Sequence, residues 1–272
     1  MAAWLEFISP TGSGPSSNRC SRLLLALDAP APTTAGPLRA CSTYSSPVGR
    51  WQDLPREYGA PATVWRRLKR WGESGVWERL WRTALSTLDQ QGKLDWSMAF
   101  LAGSFAPAKK GGEKVGVTKK GKGTKWMRVV DGNGLPLGLH LASANTAEVK
   151  LAEQTLDSIG VSRSRGRPKR PPEKLVADRA YDRSAFRRTL RRRGIRLCIP
   201  PKHRPVSWRA KRGRPVVARK EDYRLRYTVE RSVAWLGSFR RLLIRWEHHF
   251  EVYRSFFVLA LLLICVRRVS AA

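Results

Sequence analysis

The four residues Asp131-Gly132-Asn133-Gly134 constrain the fold more than any other stretch of this chain. Asp-Gly and Asn-Gly pairs reach the left-handed backbone that a tight strand reversal needs. Lys122 to Val130 runs into the turn as one strand, and Leu135 to Ala142 returns as its partner. A chain committed to this hairpin must build a sheet, and the flanking patterns decide what surrounds it.

Ser97 to Phe105 reads as a further strand ahead of the hairpin. Behind it, Asn145 with Glu148 three residues on has the spacing of a capping box. Val149, Ala152, Leu156 and Ile159 supply the buried stripe of the helix it would open. Residues 161–173 are a basic Pro/Gly loop, and Lys174 to Asp178 is a strand ending on a carboxylate. Ser184 is placed to cap a short, arginine-rich helix through Arg193, and Arg196 to Pro200 is one more strand. After a second basic loop, 202–220, a long helix is expected over Glu221 to Trp246 and a last apolar one near Tyr253 to Arg268. A hairpin followed by alternating units implies an α/β fold, a mixed sheet flanked by helices. Upstream, Pro61 can open a helix carrying Trp65, Leu68 and Trp71, broken by Gly72 to Gly75. A second helix, Val76 to Gln91, has the stripe Trp77, Leu80, Trp81, Leu85 and Leu88. Residues 1–50, rich in Ser, Pro, Ala and Thr with no sustained period, read as irregular or disordered. The chain thus divides into 1–50, a small helical region 51–93, and an α/β domain 94–272.

Charge narrows the partners. Fifty-two Lys and Arg against 21 Asp and Glu give a formal net charge of +31, an excess that a polyanion best explains. Nucleic acid leads, because phosphates reward many cations at once. In the first helical region, Arg66, Arg67, Lys69 and Arg70 allow a helix-turn-helix reading; a plain helical hairpin with a solvated basic face is the alternative. Most of the 11 Trp are expected in the core. Cys20, Cys41, Cys198 and Cys265 have neither zinc-pair spacing nor a disulfide framework, which fits a reducing cytosol. No charged and apolar leader opens the chain. The apolar run Phe256 to Val266 is about half of what a membrane helix needs and reads as a buried core helix. His140, His203, His248 and His249 lack zinc spacing and receive no catalytic role.

Two acids stand out. Asp178 closes a buried strand, and ligands gather at such carboxyl ends. Glu230 follows 52 residues later, at the edge of a stripe formed by Leu225, Val229, Val233 and Leu236. A carboxylate there needs a partner. One explanation is an ion pair with Arg226, four residues earlier. The other is metal ligation, in which acids from separate elements hold Mg²⁺ by oxygen for displacement at phosphorus.

Three segments carry a resemblance. Trp126 to Leu137 resembles the second and third strands of insertion-sequence transposases of the Asp-Asp-Glu (DDE) class, Lys174 to Asp182 resembles the segment with their second Asp, and Tyr227 to Leu236 the segment with their Glu. Phe239 to Leu242 and Arg245 to Glu247 extend the match, which runs from about Trp51 to the C-terminus. The resemblance implies a ribonuclease H-like fold, Mg²⁺- or Mn²⁺-dependent DNA cleavage and strand transfer, and as partners the terminal inverted repeats and target DNA, with a homodimer in the DNA complex. It implies a bacterial cytoplasmic protein associated with the nucleoid, and no membrane. Asp178 and Glu230 become the second and third catalytic, metal-holding acids. Tyr223, Arg226 and Glu230 match a Tyr-Arg-Glu signature whose usual closing basic residue is replaced by Gly237. The first acid, expected in a Leu-Asp-Gly-Ser segment, falls in Leu101-Ala102-Gly103-Ser104: Ala102 stands in its place. A methyl group cannot ligate a metal. Asp95, Asp131 and Asp182 are expected in turns and local pairs and not as substitutes. With the unpatterned 1–50 in place of amphipathic helices, as after a frameshift, Ala102 suggests a decaying copy.

Arg165-Gly166-Arg167-Pro168 and Arg212-Gly213-Arg214-Pro215 share a core that resembles the AT-hook, in which arginines lie in a narrow minor groove. Phosphate contact from a solvated loop is the commoner outcome. Two other functions stay open on sequence: a non-catalytic remnant that occupies transposon ends, which Ala102 favours, and an RNA-binding protein, which charge alone suggests.

Overall fold

The computed structural model describes residues 50–163, 166, 168, 171–202 and 220–270. The expected hairpin is formed by β3 (Gly121–Asp131) and β4 (Pro136–Ser143). Its turn works through Asp131: the backbone N–H of Asp131 donates to the Leu135 carbonyl at 2.9 Å, and the Leu135 N–H donates to Asp131 Oδ1 at 2.6 Å. Gly134, at φ +87°, supplies the left-handed residue.

On the inner edge of β3 lies β1 (Ala99–Pro107), antiparallel, followed by β5 (Lys174–Ala177) and β6 (Arg196–Cys198), both parallel to β1. A short strand that the sequence did not signal, β2 (Gly116–Thr118), pairs with the first residues of β3. This six-stranded mixed sheet is the α/β architecture expected from sequence. The helix α3 (Glu148–Asp157) packs on β3 and β4. Between β5 and β6 runs α4 (Ser184–Arg192), which buries Phe186 and Leu190.

Upstream are α1 (Pro61–Glu73) and α2 (Val76–Gln90), whose stripe Trp77, Leu80, Trp81, Leu85 and Leu88 is buried as expected. Both pack on the C-terminal α8 (Phe250–Ser270), and all three join the same hydrophobic core as the sheet. The break between α1 and α2 falls within Gly72 to Gly75 as expected, at Gly75, φ +69°; Gly72 itself is still helical, and a Cβ there would collide with Ser255 Oγ of α8, so it serves close helix approach. No described helix is long and apolar enough to cross a membrane, and Phe256 to Val266 lies in the core apart from the partly exposed Ile264.

Three local expectations are corrected. The long helix over Glu221 to Trp246 is three pieces, α5 (Lys220–Arg224), α6 (Tyr227–Gly237) and α7 (Arg240–Leu243). The chain turns at Leu225-Arg226 and again at Phe239, which leaves helical φ/ψ (−88°, 86°) to bury its ring. Consequently Leu225 is exposed and not part of a buried stripe. Asn145 does not cap α3; Ala147 occupies the N-cap, and Glu148 turns away to accept a hydrogen bond from Tyr181 at 2.7 Å. Nor does Ser184 cap α4, which Arg183 precedes without a side-chain cap.

Candidate active site

Strand register brings the predicted positions together. The last parallel pair of β1 and β5 is Leu101 with Ala177. One residue further, Ala102 of β1 lies beside Asp178, the first residue past the end of β5, about one strand spacing (~4.8 Å) across the sheet. That face carries Phe100, Val130, Val176 and Cys198, capped by Val229 of α6, with Ala102 and Tyr223 packed at the rim. Glu230 is the next residue along α6.

The two acids share one cation. Arg226, in the turn between α5 and α6, places Nη2 3.8 Å from Asp178 Oδ2 and Nη1 3.7 Å from Glu230 Oε1. Asp178 also accepts the Arg179 N–H at 2.6 Å, capping the 3-10 turn Arg179–Tyr181. Both carboxylates reach solvent, with side chains 42% and 65% exposed. Glu230 is therefore an exposed acid on the first turn of α6, and its Arg226 pair is real. A half-buried ion pair, Lys174 Nζ to Asp222 Oδ2 at 2.7 Å, fixes α5 over β5 and so sets where Arg226 starts.

The opposite face explains Gly103. A Cβ at Gly103 would come within 2.7 Å of both Met127 Sδ and Glu148 Cδ. Glu148 in turn holds the hydroxyl of Tyr181, three residues after Asp178. Burial and the Glu148 carboxylate push the Tyr181 hydroxyl far above its usual range, so it is a permanent donor. The Asp178 turn is thereby pinned from beneath the sheet.

Among the described residues, Asp95, Asp131 and Asp182 lie away from Ala102 in turns and local pairs. Asp95 sits at the hairpin end, where its N–H donates to Asp131 Oδ2 at 2.9 Å. Asp131 is fully buried in the turn, its carboxyl pushed up to about 6 by burial against the opposing backbone hydrogen bonds. Asp182 pairs with Arg187 at 2.7 Å. Among the described residues no cluster of three or more His, Cys, Asp or Glu could hold a metal. Two carboxylates closed on a guanidinium, beside a methyl group, do not fit a two-ion site.

Sequence reasoning missed Arg128. This β3 residue is the cross-strand partner of Ala102 and is 1% exposed. Its Nε donates to Ser232 Oγ at 3.0 Å, Nη2 to the Val229 carbonyl at 3.1 Å and Nη1 to Ser104 Oγ at 3.4 Å. Burial lowers its pKa to about 10, so the charge persists at neutral pH. A basic residue in a strand of a chain this basic gives no sequence signal of burial.

The DNA-binding candidates separate. On α1, Arg66 and Arg70 face solvent, Arg67 is half-buried, and Lys69 approaches Glu73 at 3.7 Å. Arg165, Arg167, Arg212 and Arg214 lie outside the described residues. Tyr223 packs at the rim of the site and Arg226 is in its centre. A group that sequence reading did not single out is on α4, where Arg188, Arg191 and Arg192 line one concavity with Ala185 and Thr189. None of these three arginines has a carboxylate within ion-pair range among the described residues, unlike Arg193 with Asp157 and Arg196 with Glu173.

The six-stranded mixed sheet flanked by helices, with Asp178 and Glu230 meeting at Arg226 beside β1, defines an α/β core with two acids at the carboxyl end of a parallel strand. The chain belongs to the transposase DDE domain family, whose pattern matches residues 90–265. A protein assigned as transposase for the insertion sequence element IS402 of Burkholderia cepacia is 37% identical over 150 residues, 53% of this chain and 63% of that protein. An uncharacterized 16.2 kDa protein of the same element and organism is 41% identical over 71 residues, 25% of this chain and 48% of that one. The chain thus spans less than two thirds of either relative. A chain in the crystal structure of the Mos1 strand transfer complex aligns at 14% identity over 96% of this chain and 81% of that chain, with a TM-score of 0.27. That score is too low to bear on the fold, which rests on the sheet and the family.

Proposed function

We propose that this chain is an insertion-sequence transposase that binds the terminal inverted repeats of its element, acts as a homodimer on DNA, and is impaired in strand cleavage and transfer by Ala102. The observation that carries this is the convergence of Ala102, Asp178 and Glu230 on one face, with every position but the first holding a carboxylate. The family in general uses divalent metal ions, Mg²⁺ or Mn²⁺, to stabilise charge at the reacting phosphate. With a methyl at 102, loss of one ligand costs on the order of several kcal/mol of that stabilisation. What the present residues supply is DNA binding: Arg66, Arg67, Lys69 and Arg70 on α1, the α4 arginines, and Tyr223 and Arg226 at the site, with Arg165, Arg167, Arg212 and Arg214 of the two Arg-Gly-Arg-Pro segments added.

A second reading, a non-catalytic protein that occupies transposon ends, draws on the same Ala102 and on the Arg226 guanidinium between the two acids. Cleavage of end-bearing donor DNA by the natural chain and by Ala102→Asp separates them. Restored cutting in the variant supports a disabled transposase. Inactivity of both, with end-specific binding retained, supports the occupying protein. Sedimentation of the chain on DNA carrying two ends tests the dimer; a single copy per pair of ends would contradict it.

A further inference from the structure

The face that carries Ala102 holds two arginines and two acids, and they are not evenly matched. Arg226 touches both Asp178 and Glu230. Arg128 touches no carboxylate among the described residues; its partners are two hydroxyls, a carbonyl and the Trp126 ring, 4.8 Å from its Cζ. Arginine at 1% exposure is rarely left without an ionised partner, because taking the charge out of water is costly. The position directly across the strand from Arg128 is Ala102. Opposed residues in an antiparallel pair have Cβ atoms about 4.5–5.5 Å apart, within reach of an ion pair. The guanidinium leans over β1 toward Ser104, two residues along the same face as position 102.

The same side chain is tied to the third acid. Its Nη2 and Nε hold the Val229 carbonyl and the Ser232 hydroxyl, which bracket Glu230 on α6. Ser232 Oγ itself donates to the Val229 carbonyl at 2.6 Å, so the turn carrying Glu230 is closed on the Arg128 guanidinium.

We propose that Arg128 is a positioning residue that clamps the Glu230 turn to the central strands and serves as the buried counter-charge for an acid at position 102. Ala102 has removed that partner and left the guanidinium with neutral acceptors only. The inference rests on position 102 being the place of the first acid. An acid added beside Asp178 is then favourable to the fold as long as Arg128 is present.

The test is a double-mutant cycle on the full chain, read as thermal unfolding in the presence of a chelator, so that no metal contributes. Four proteins are compared: the natural chain, Ala102→Asp, Arg128→Met and the double variant. The Ala102→Asp change is expected to raise the melting temperature relative to its effect in the Arg128→Met background by about 2–4 °C or more, the size of a five-fold or greater coupling in the folding equilibrium. In the Arg128→Met background it lowers the melting temperature, because Arg226, already shared by Asp178 and Glu230, is then left to offset a third carboxylate. Equal shifts in both backgrounds overturn the proposal, since a purely structural clamp gives no coupling to position 102. Should Arg128→Met not fold, Arg128→Gln, which keeps a donor and drops the charge, replaces it with the same two outcomes. Coupling without restored cleavage in Ala102→Asp would fault the proposed function and leave Arg128 as a counter-charge; cleavage without coupling would do the reverse.

Discussion

Replacing Arg188, Arg191 and Arg192 of α4 by Ala should flatten the salt dependence of DNA binding. The three guanidiniums line one concavity and have no carboxylate within 4.0 Å among the described residues, so each is free to neutralise a phosphate. Each phosphate neutralised on duplex DNA contributes about −0.9 to the slope of log K against log salt. Three contacts amount to a slope change of about 2.7, and between 50 and 200 mM salt the affinity ratio of natural chain to variant should shrink by roughly 40-fold. Fluorescence anisotropy on a labelled duplex at four or five salt concentrations gives the slope directly. Arg193 and Arg196 are the internal control: each already spends its charge on a carboxylate, at 2.7 Å and 2.8 Å, and their replacement should change the slope by less than one contact each. A triple variant with the slope of the natural chain would refute the placement of DNA across α4.

Three further outcomes are expected. Tyr181→Phe removes the hydroxyl that Glu148 accepts at 2.7 Å and leaves a half-buried carboxylate unsatisfied, a loss of about 1–3 kcal/mol in urea unfolding; unchanged stability would mean that water replaces the hydroxyl without cost. Asp131, with its folded carboxyl near 6 and an unfolded value near 3.8, holds its proton longer in the folded state, so its contribution to stability is full below about pH 4 and is lost as pH rises to about 6, by roughly 3 kcal/mol. Asp131→Asn should abolish that slope in a pH series of unfolding free energies, and a parallel slope in both proteins would contradict the assignment. Gly103→Ala forces a methyl to 2.7 Å from Met127 Sδ and Glu148 Cδ and should cost about 1–3 kcal/mol, read as a lower urea midpoint; an unshifted midpoint would show that β1 can yield there.

The hairpin and the strand that delivers Asp178 were legible because each is written in local chemistry: turn residues at Asp131 to Gly134, and an aliphatic run ending on an acid. Ala102 was legible through its neighbours Leu101, Gly103 and Ser104, and register then set it beside Asp178. Other features depend on contacts between distant segments. Glu148 matched a capping box but was taken by Tyr181, 33 residues on. The apolar spacing through Leu225 and Val229 suggested one long helix, yet burying Phe239 and placing Arg226 between two acids bends the chain twice. The break in Gly72 to Gly75 was legible, but the separate task of Gly72, close approach to Ser255 of α8, was not, because that neighbour is 183 positions away. Arg128 gave no signal, since one arginine among 52 basic residues is ordinary until its burial is known.

The decisive measurement is cleavage of donor DNA bearing the element's ends, in Mg²⁺ or Mn²⁺, with the natural chain and Ala102→Asp side by side. The Ala102→Asp protein should cut the strand and the natural chain should cut little or not at all, at equal end binding. Efficient cutting by the natural chain would contradict it, because a site with Ala102, Asp178 and Glu230 would then be complete without its first acid.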